Sequence, residues 1–506
     1  MILLKQNVQD YNNDLRAMIM AFFPGEKIKD YDKAEKNNLV NQSGEDKEKV
    51  RFMLSAHFND NETTEVSLDL INDDLSGKNR YLVKGDYKDR KVFRNHLKLS
   101  VYRLLSEYTG RKLPWGDLTG VRPTKIAMKK IHEGSNRKEV IDYYNEIYDT
   151  SEKKAGLAYD VADNELKLVE DIDLKNSYCL YVGIPFCPSR CLYCSFTAYA
   201  ISLHKDKVDG YIDRLCDEIT YISERYKDKK LVAIYMGGGT PTSISHIQLD
   251  RLLTHIDKTF KLKGGFEDKS SENIRLLEYT IEAGRPDSIT KEKLLVMKDH
   301  NVTRISINPQ TMNDVTLKVI GRAHTVEDVE CAFKLARECG FDNINMDLIA
   351  GLPGEDKPMM EHTLDEIYKL HPDSLTIHSL AIKRATRLNE KMDEYKADIN
   401  HDINEMLEMV SDAAHKLGME PYYLYRQKNI GGNLENVGYS TPGMECLYNV
   451  LIMEELTDII AVGAGSSSKY VIRNENGDVI RIDRSENCKS IEDYIDRFDE
   501  MVMRKR

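Results

Sequence analysis

Between residues 178 and 382 the chain alternates short apolar runs with longer amphipathic ones, and few architectures accept that order. The runs 178–186, 231–236, 276–283, 304–309, 343–350 and 374–382 are rich in Ile, Val, Leu and Tyr and have strand length. Helical patterns separate them at 205–226, 245–259, 288–300, 325–339 and 358–370, and another follows at 402–417. Ser243 or Ser245, Thr290 and Thr325 stand where N-caps belong, and Gly340 stands where the fourth helix should stop. Strand and helix in strict succession require parallel strands joined by crossover helices. That leaves an open doubly wound sheet or a barrel, whole or partial, and periodicity does not choose between them.

The 506 residues suffice for two to four domains of ordinary size. Residues 1–170 read as an N-terminal α+β accessory domain, with strands within 50–85 and helices near 92–109 and 123–132. Its polar run 24–48 reads as a loop and the charged stretch 148–176 as a linker. Residues 171–390 form the alternating domain. Residues 391–506, dense in Tyr, Gly and Asn after the helix at 402–417, form a small C-terminal domain that would cover a substrate. At 41% apolar and 31% charged the composition is that of a globular protein, not a disordered or fibrous one. No stretch approaches the 18 or more apolar residues of a membrane span, and the apolar part of the N-terminus is too short for a signal peptide, so a cytoplasmic location is expected.

Net charge is −12, unevenly spread: residues 88–138 hold 14 Lys or Arg against four Asp or Glu, so that segment is +10 and the remainder −22. A basic run of this kind is a solvated helical surface or a contact for a polyanion such as a multi-carboxylate substrate, an acidic electron carrier or RNA. In the RNA case Arg94, Lys98, Arg122 and Lys125 would make the contacts.

Nine cysteines are too few for a disulfide scaffold. Six are scattered, but Cys187, Cys191 and Cys194 fall together in CPSRCLYC directly after the first strand, where a βα loop presents them at the C-terminal edge of the sheet. Zinc would want a fourth ligand nearby, and none follows in sequence. Three thiolates on a four-iron cluster would leave one iron open to bind something else.

A CxxxCxxC preceded by YVGIPF resembles the hallmark of the radical S-adenosylmethionine (SAM) family. MGGGTPT (236–242), TIEAGRPD (280–287), RISINPQ (304–310), IGRAH (320–324) and NMDLIAGLPGE (345–355) follow in that family's order. The resemblance implies a partial (β/α)6 TIM-type barrel and a [4Fe-4S] cluster on Cys187, Cys191 and Cys194. It also implies one or two molecules of S-adenosyl-L-methionine, cleaved reductively to a 5′-deoxyadenosyl radical. By the same resemblance Tyr193 packs on adenine and Gly237, Gly238, Gly239 and Thr240 meet the methionine amino group. Glu282, Ser306, Gln310, Arg322 and Asp347 contact the bound cofactor, and Tyr181 is a catalytic phenol beside it.

IPFC, GGGTPT and DLIAGLPG are similar to the oxygen-independent coproporphyrinogen III oxidase branch. PWGDLTGVRPTKIA (114–127), the stretch 421–449 and IIAVGAGSSSK (459–469) resemble its HemZ-type group. That implies oxidative decarboxylation of two propionates of coproporphyrinogen III to vinyls, giving protoporphyrinogen IX, with electrons from a flavodoxin or ferredoxin. A substrate bearing four carboxylates needs anchors, for which Arg384, Arg387, Arg426, Lys428 and Lys469 are candidates. Two departures stand out. Gly183 occupies the place of the branch's usual His, and Tyr448–Met453 replaces the HNxxYW motif that supplies a haem ligand in chaperone members. The alternatives are other radical chemistry on a tetrapyrrole or RNA, and a haem-binding chaperone that holds the cluster without turnover.

Overall fold

The computed structural model describes residues 1–36, 50–59, 63–69, 80–120, 122–262, 276–381, 386–395, 402–426 and 434–506. They form two compact units: Met1–Tyr159 with Arg426–Glu435, and Asp160–Tyr425 with Asn436–Arg506.

In the first unit β1 (Ile2–Gln6), β2 (Ile28–Asp30), β3 (Phe52–Asn59), β4 (Thr63–Asp69) and β5 (Arg80–Lys84) make one sheet in the order β2-β1-β3-β4-β5, parallel around β1 and antiparallel beyond β3. Helices Asn12–Phe22 and Arg90–Thr109 supply the rest of its core. Phe93, Leu97, Val101 and Leu104 form a fully buried stripe at helical spacing on Arg90–Thr109, each contributing about 1.5–3 kcal/mol. Gly110, at φ 66°, ends that helix in the left-handed conformation.

This folding consumes part of the basic segment: Lys98 is buried and Arg94 pairs with the buried Asp14 at 2.6 Å. Glu435 accepts hydrogen bonds from Lys154 Nζ (2.5 Å) and Trp115 Nε1 (2.6 Å), all buried in the same unit. Two expectations need correction. The run 24–48 contains β2 and a short helix, Tyr31–Lys36, before it passes outside the described residues at 37. The stretch 148–176 holds the helix Glu152–Val169, whose buried face is largely alanine (Ala155, Ala158, Ala162), a stripe easily overlooked among many charges.

In the second unit the six apolar runs become β6 (Ser177–Ile184), followed by the two-residue pair β7 (Phe186–Cys187) and β8 (Tyr199–Ala200), then β9 (Lys230–Gly238), β10 (Glu278–Gly284), β11 (Arg304–Ile307), β12 (Ile344–Ala350) and β13 (Ser374–Ser379). Strands β6, β9, β10, β11, β12 and β13 are parallel neighbours in that order, joined by helices Val208–Arg225, His246–Phe260, Lys291–Asp299, Val326–Glu338 and Lys357–Leu370, with Ile403–Lys416 after the last. This is the partial (β/α)6 barrel. Ser245, Thr290 and Thr325 accept hydrogen bonds from the third residue of their helices, and Gly340 takes φ 86° just past the fourth. Later strands widen the same sheet: β14 (Glu420–Arg426) and β15 (Glu435–Ser440) lie beyond β13, and β16 (Asp458–Val462), β17 (Ser467–Arg473) and β18 (Val479–Glu486) lie beyond β6.

Parallel strands covered on both faces are normally apolar throughout. Here alternate residues break the rule. The register pairs Tyr181 with Tyr235, Tyr235 with Thr280, Thr280 with Arg304, Ser306 with Asn345 and Asp347 with Thr376. With a side-chain period of two, these residues together with Glu282 and His378 share one face across all six strands. The opposite face, with Leu180, Ile234, Ile281, Ile305, Leu348 and Ile377, is apolar and buried.

Candidate active site

The thiol loop leaves β6 through Pro185 and is tied down along its length. Arg285 Nη1 donates to Ser189 Oγ (2.7 Å) and to its carbonyl (3.1 Å), Ser189 Oγ donates to the Gly321 carbonyl (3.2 Å), and Leu192 N donates to the Ile320 carbonyl (2.9 Å). Cys191 is buried while Cys187 and Cys194 are partly exposed, and Cys187 Sγ lies 3.4 Å from Thr240 Oγ1. Burial pushes the Cys187 thiol up to about 11 against the opposing Thr240 contact, and burial likewise raises Cys194. Among the described residues no three His, Cys, Asp or Glu side chains are gathered closely enough to hold a metal ion. The donor chemistry fits an iron-sulfur cluster, since the loop offers three cysteine thiols and no His, Asp or Glu.

Beside the loop, Arg322 Nη2 donates to the Tyr193 hydroxyl at 3.2 Å and Nη1 to the Asn308 carbonyl at 2.5 Å, while its buried Nε has no hydrogen-bond partner among the described residues. Gln310 holds φ 71°, a left-handed conformation unusual for a side-chain-bearing residue. Its amide donates to the Asp347 carbonyl (2.9 Å) and its carbonyl accepts from Ile349 N (3.0 Å), which fixes the turn against β12. Ser306 Oγ donates to Asn308 and accepts from Asn345 Nδ2 (3.2 Å), and Asn345 Nδ2 also donates to Asp347 Oδ1 (2.7 Å).

The glycine run is needed for close approach within the chain. A Cβ on Gly237 would lie 2.9 Å from the Glu282 carboxyl carbon, and one on Gly239 would lie 2.5 Å from the Phe186 carbonyl oxygen. Thr240 N donates to that same carbonyl at 2.7 Å. Glu282 therefore sits directly over Gly237, accepting a hydrogen bond from the Tyr235 hydroxyl at 2.5 Å. Burial pushes its carboxyl up to about 7, with the Tyr235 bond opposing. Asp347 behaves oppositely. Burial would raise its carboxyl, but His378 and Asn345 outweigh that and hold it low.

Tyr181, Tyr235 and Tyr448 are stacked, with Tyr235 and Tyr448 rings 4.5 Å apart and Tyr181 6.2 Å from Tyr235. Burial, with Glu282 nearby, raises the Tyr181 phenol. Tyr235, Asn345 and His378 were not among the residues singled out from the sequence, and Tyr448 was noted only as the start of the stretch that replaces the haem-ligand motif. For the three on strands the signal was present, as polar residues at alternate positions of otherwise apolar runs.

The carboxylate anchors fare unevenly. Arg387 is exposed on the short helix Arg387–Glu390, and Lys469 Nζ donates to the Ile452 carbonyl at 3.3 Å. Arg426 is buried over the Trp115 ring in the first unit, which removes it as an anchor. Arg384 and Lys428 lie outside the described residues. At Gly183 a Cβ would come within 3.1 Å of the Val462 carbonyl oxygen, so the pairing of β6 with β16 leaves little room for the histidine usual at this place.

A thiol loop at the C-terminal edge of a partial (β/α)6 barrel, with polar residues lining one face of the strands, defines a radical SAM protein. Residues 181–367 match the Radical SAM superfamily, whose members use a [4Fe-4S] cluster and S-adenosylmethionine. The chain is 42% identical over 412 residues to the oxygen-independent coproporphyrinogen-III oxidase-like protein HemZ of Bacillus subtilis (strain 168), covering 81% of this chain and 79% of that protein. It therefore belongs to the HemZ family within that superfamily. It is also 32% identical to the heme chaperone HemW of the same organism over 53% of this chain and 65% of that one. Among solved structures, coproporphyrinogen III oxidase (HemN) from Escherichia coli aligns with a TM-score of 0.50 at 22% identity, over 67% of this chain and 72% of that chain, a likeness of fold. No helix among the described residues is long and apolar enough to cross a membrane.

Proposed function

We propose that the chain is an oxygen-independent coproporphyrinogen III dehydrogenase, acting in the cytoplasm and supplied with electrons by a flavodoxin or ferredoxin. Two ring propionates are oxidatively decarboxylated to vinyls, giving protoporphyrinogen IX. The observation that carries this reading is the similarity to HemZ over 81% of the chain, a protein whose name is that of a coproporphyrinogen-III oxidase-like protein.

In this reading Cys187, Cys191 and Cys194 hold the cluster. When bound, the cluster and S-adenosylmethionine together supply a hydrogen-abstracting radical. This chain's own residues orient and shield. Tyr193, fixed by Arg322, offers a flat ring beside the loop, and Gly237, Gly238, Gly239 and Thr240 offer backbone at the edge of β9. Glu282, Ser306 and Asp347 line the same face with hydrogen-bonding groups, Gln310 is held in the turn against β12, and Glu282 can hold a proton near neutrality. Tyr181 stands within β6, stacked so that its ring is not free to swing. Residues 171–390 carry the chemistry, residues 391–506 cover the substrate, and residues 1–170 are accessory.

The chaperone reading is weaker for a physical reason. Tyr448, at the place of the haem-ligand motif, is buried in the tyrosine stack and not offered to a metal. The test is anaerobic turnover of coproporphyrinogen III by reconstituted protein with S-adenosylmethionine, a reductant and an electron acceptor. Successive loss of two carboxyl groups is expected. Deoxyadenosine formed without any change in tetrapyrrole mass would discard the substrate.

A further inference from the structure

The loop that carries the three thiols is gripped by a buried cation from the third barrel strand. Arg285 directly follows β10, is 3% exposed and divides its guanidinium between two partners. Nε and Nη2 donate to the two carboxyl oxygens of Asp287 at 2.9 and 2.7 Å, a fork-to-fork ion pair. Nη1 donates to Ser189 Oγ at 2.7 Å and to the Ser189 carbonyl at 3.1 Å. Ser189 stands two residues from both Cys187 and Cys191, and its hydroxyl donates in turn to the Gly321 carbonyl at 3.2 Å. On the other side of the pair, Nδ1 of buried His324 lies 3.9 Å from Asp287 Oδ1. The order of charges is therefore carboxylate, guanidinium, thiol loop.

We propose that Arg285 is a positioning residue for the iron-sulfur centre: it fixes the turn between Cys187 and Cys191 and sets its positive charge against the cluster, which favours the reduced form. The inference rests on the assignment of the cluster to this loop and not on the identity of the substrate. On reduction the cluster takes one electron from its carrier, no bond forms or breaks, and the site gains a negative charge. Net charge and hydrogen bonds around such a cluster are what move its potential. A guanidinium keeps its proton at any ordinary pH, and its field is poorly screened where burial excludes water. Asp287 lies on the far side of the guanidinium, so it weakens that field without reversing it, because the nearer charge dominates. Arginine also matches the task in shape. Its fork serves Asp287 and Ser189 at once, whereas a lysine there would supply the charge without the fork.

The experiment is a redox titration of the full chain, reconstituted anaerobically with iron and sulfide and without S-adenosylmethionine, followed by electron paramagnetic resonance of the reduced cluster. Arg285→Gln should lower the potential, by about tenfold in the reduced-to-oxidised ratio at a fixed applied potential, which is about 59 mV for one electron. Asp287→Asn removes the opposing charge, keeps the side chain's shape and should shift the potential upward by a smaller amount. Arg285→Lys should stay closer to wild type than Arg285→Gln, because it keeps the charge. Iron content of each variant is measured alongside. Asp287→Asn and Arg285→Lys carry the test if Arg285→Gln holds no cluster.

Opposite shifts in Arg285→Gln and Asp287→Asn support the proposal, since lost packing does not change sign with charge. Unchanged potentials in the variants that hold iron overturn it, and where Arg285→Gln holds none, an unshifted Asp287→Asn does so alone. Shifts of the same sign overturn it too, because they mark a packing role. Loss of iron in all three variants leaves Arg285 as a clamp of the loop and overturns the electrostatic role. If Cys191→Ala keeps its iron, the cluster does not sit on this loop and the underlying assignment fails. If Cys191→Ala loses its iron while the Arg285 and Asp287 variants keep the wild-type potential, only the role of Arg285 fails.

Discussion

The N-terminal unit and the barrel both bury polar side chains, but they finish the task differently. In the first unit Glu435 is enclosed, with Lys154 and Trp115 as donors at 2.5 and 2.6 Å. On the barrel face Glu282, Asp347 and His378 keep contact with solvent, and two of their contacts stretch to 3.9 and 3.5 Å. A closed network holds a fold in one arrangement, whereas an open one leaves hydrogen-bonding capacity for a ligand. Asp117 is the exception in the first unit: its two carboxyl oxygens have no hydrogen-bond partner among the described residues, and burial pushes its carboxyl up to about 7.

The largest effect is expected at the open end. Cys191→Ala should remove a thiolate ligand, abolish the brown chromophore and stop S-adenosylmethionine cleavage, as read by iron assay and chromatography. Unchanged iron content would mean that the loop is not the cluster site. At the closed end, Glu435→Ala leaves Lys154 charged and buried and should cost about 3–5 kcal/mol in urea unfolding. A loss below about 1 kcal/mol would erase the distinction between the two networks.

A third prediction sharpens the contrast through pH. Because Glu282 stays protonated in the folded state up to about 7, the folded protein retains a proton that the unfolded chain has already released. Its contribution to stability is therefore complete below the ordinary carboxyl range and is lost as pH rises through about 7. Urea midpoints of the protein without its cofactors should decline over that window, and Glu282→Gln should flatten the decline. The smallest effect concerns the scaffold common to any such barrel: Ser245→Ala removes the N-cap of His246–Phe260 and should cost about 1 kcal/mol, with the cluster intact.

Much of the barrel was legible because its strands and caps obey local rules. The six runs, their helices and the caps Ser245, Thr290 and Thr325 are each specified within a few residues of sequence. The cysteine loop was legible for the same reason. What the sequence hid depends on register between distant strands. Tyr235 pairs across the sheet with Tyr181, and Tyr448 reaches it from a helix more than two hundred residues later. The strands added at both sheet edges by residues after 400 were hidden likewise, since edge pairing leaves no local mark. Charge counting misled at Lys98, whose place in the basic run does not reveal that it faces the interior.

The central claim is that the thiol loop and the polar strand face work as one site on a tetrapyrrole. The most direct test counts 5′-deoxyadenosine and carbon dioxide together during anaerobic turnover of coproporphyrinogen III, in wild type and in Glu282→Gln. The account predicts deoxyadenosine and carbon dioxide in step in wild type, with both falling together in the variant. Deoxyadenosine formed at the wild-type rate in Glu282→Gln, or formed in wild type with no carbon dioxide, would contradict it.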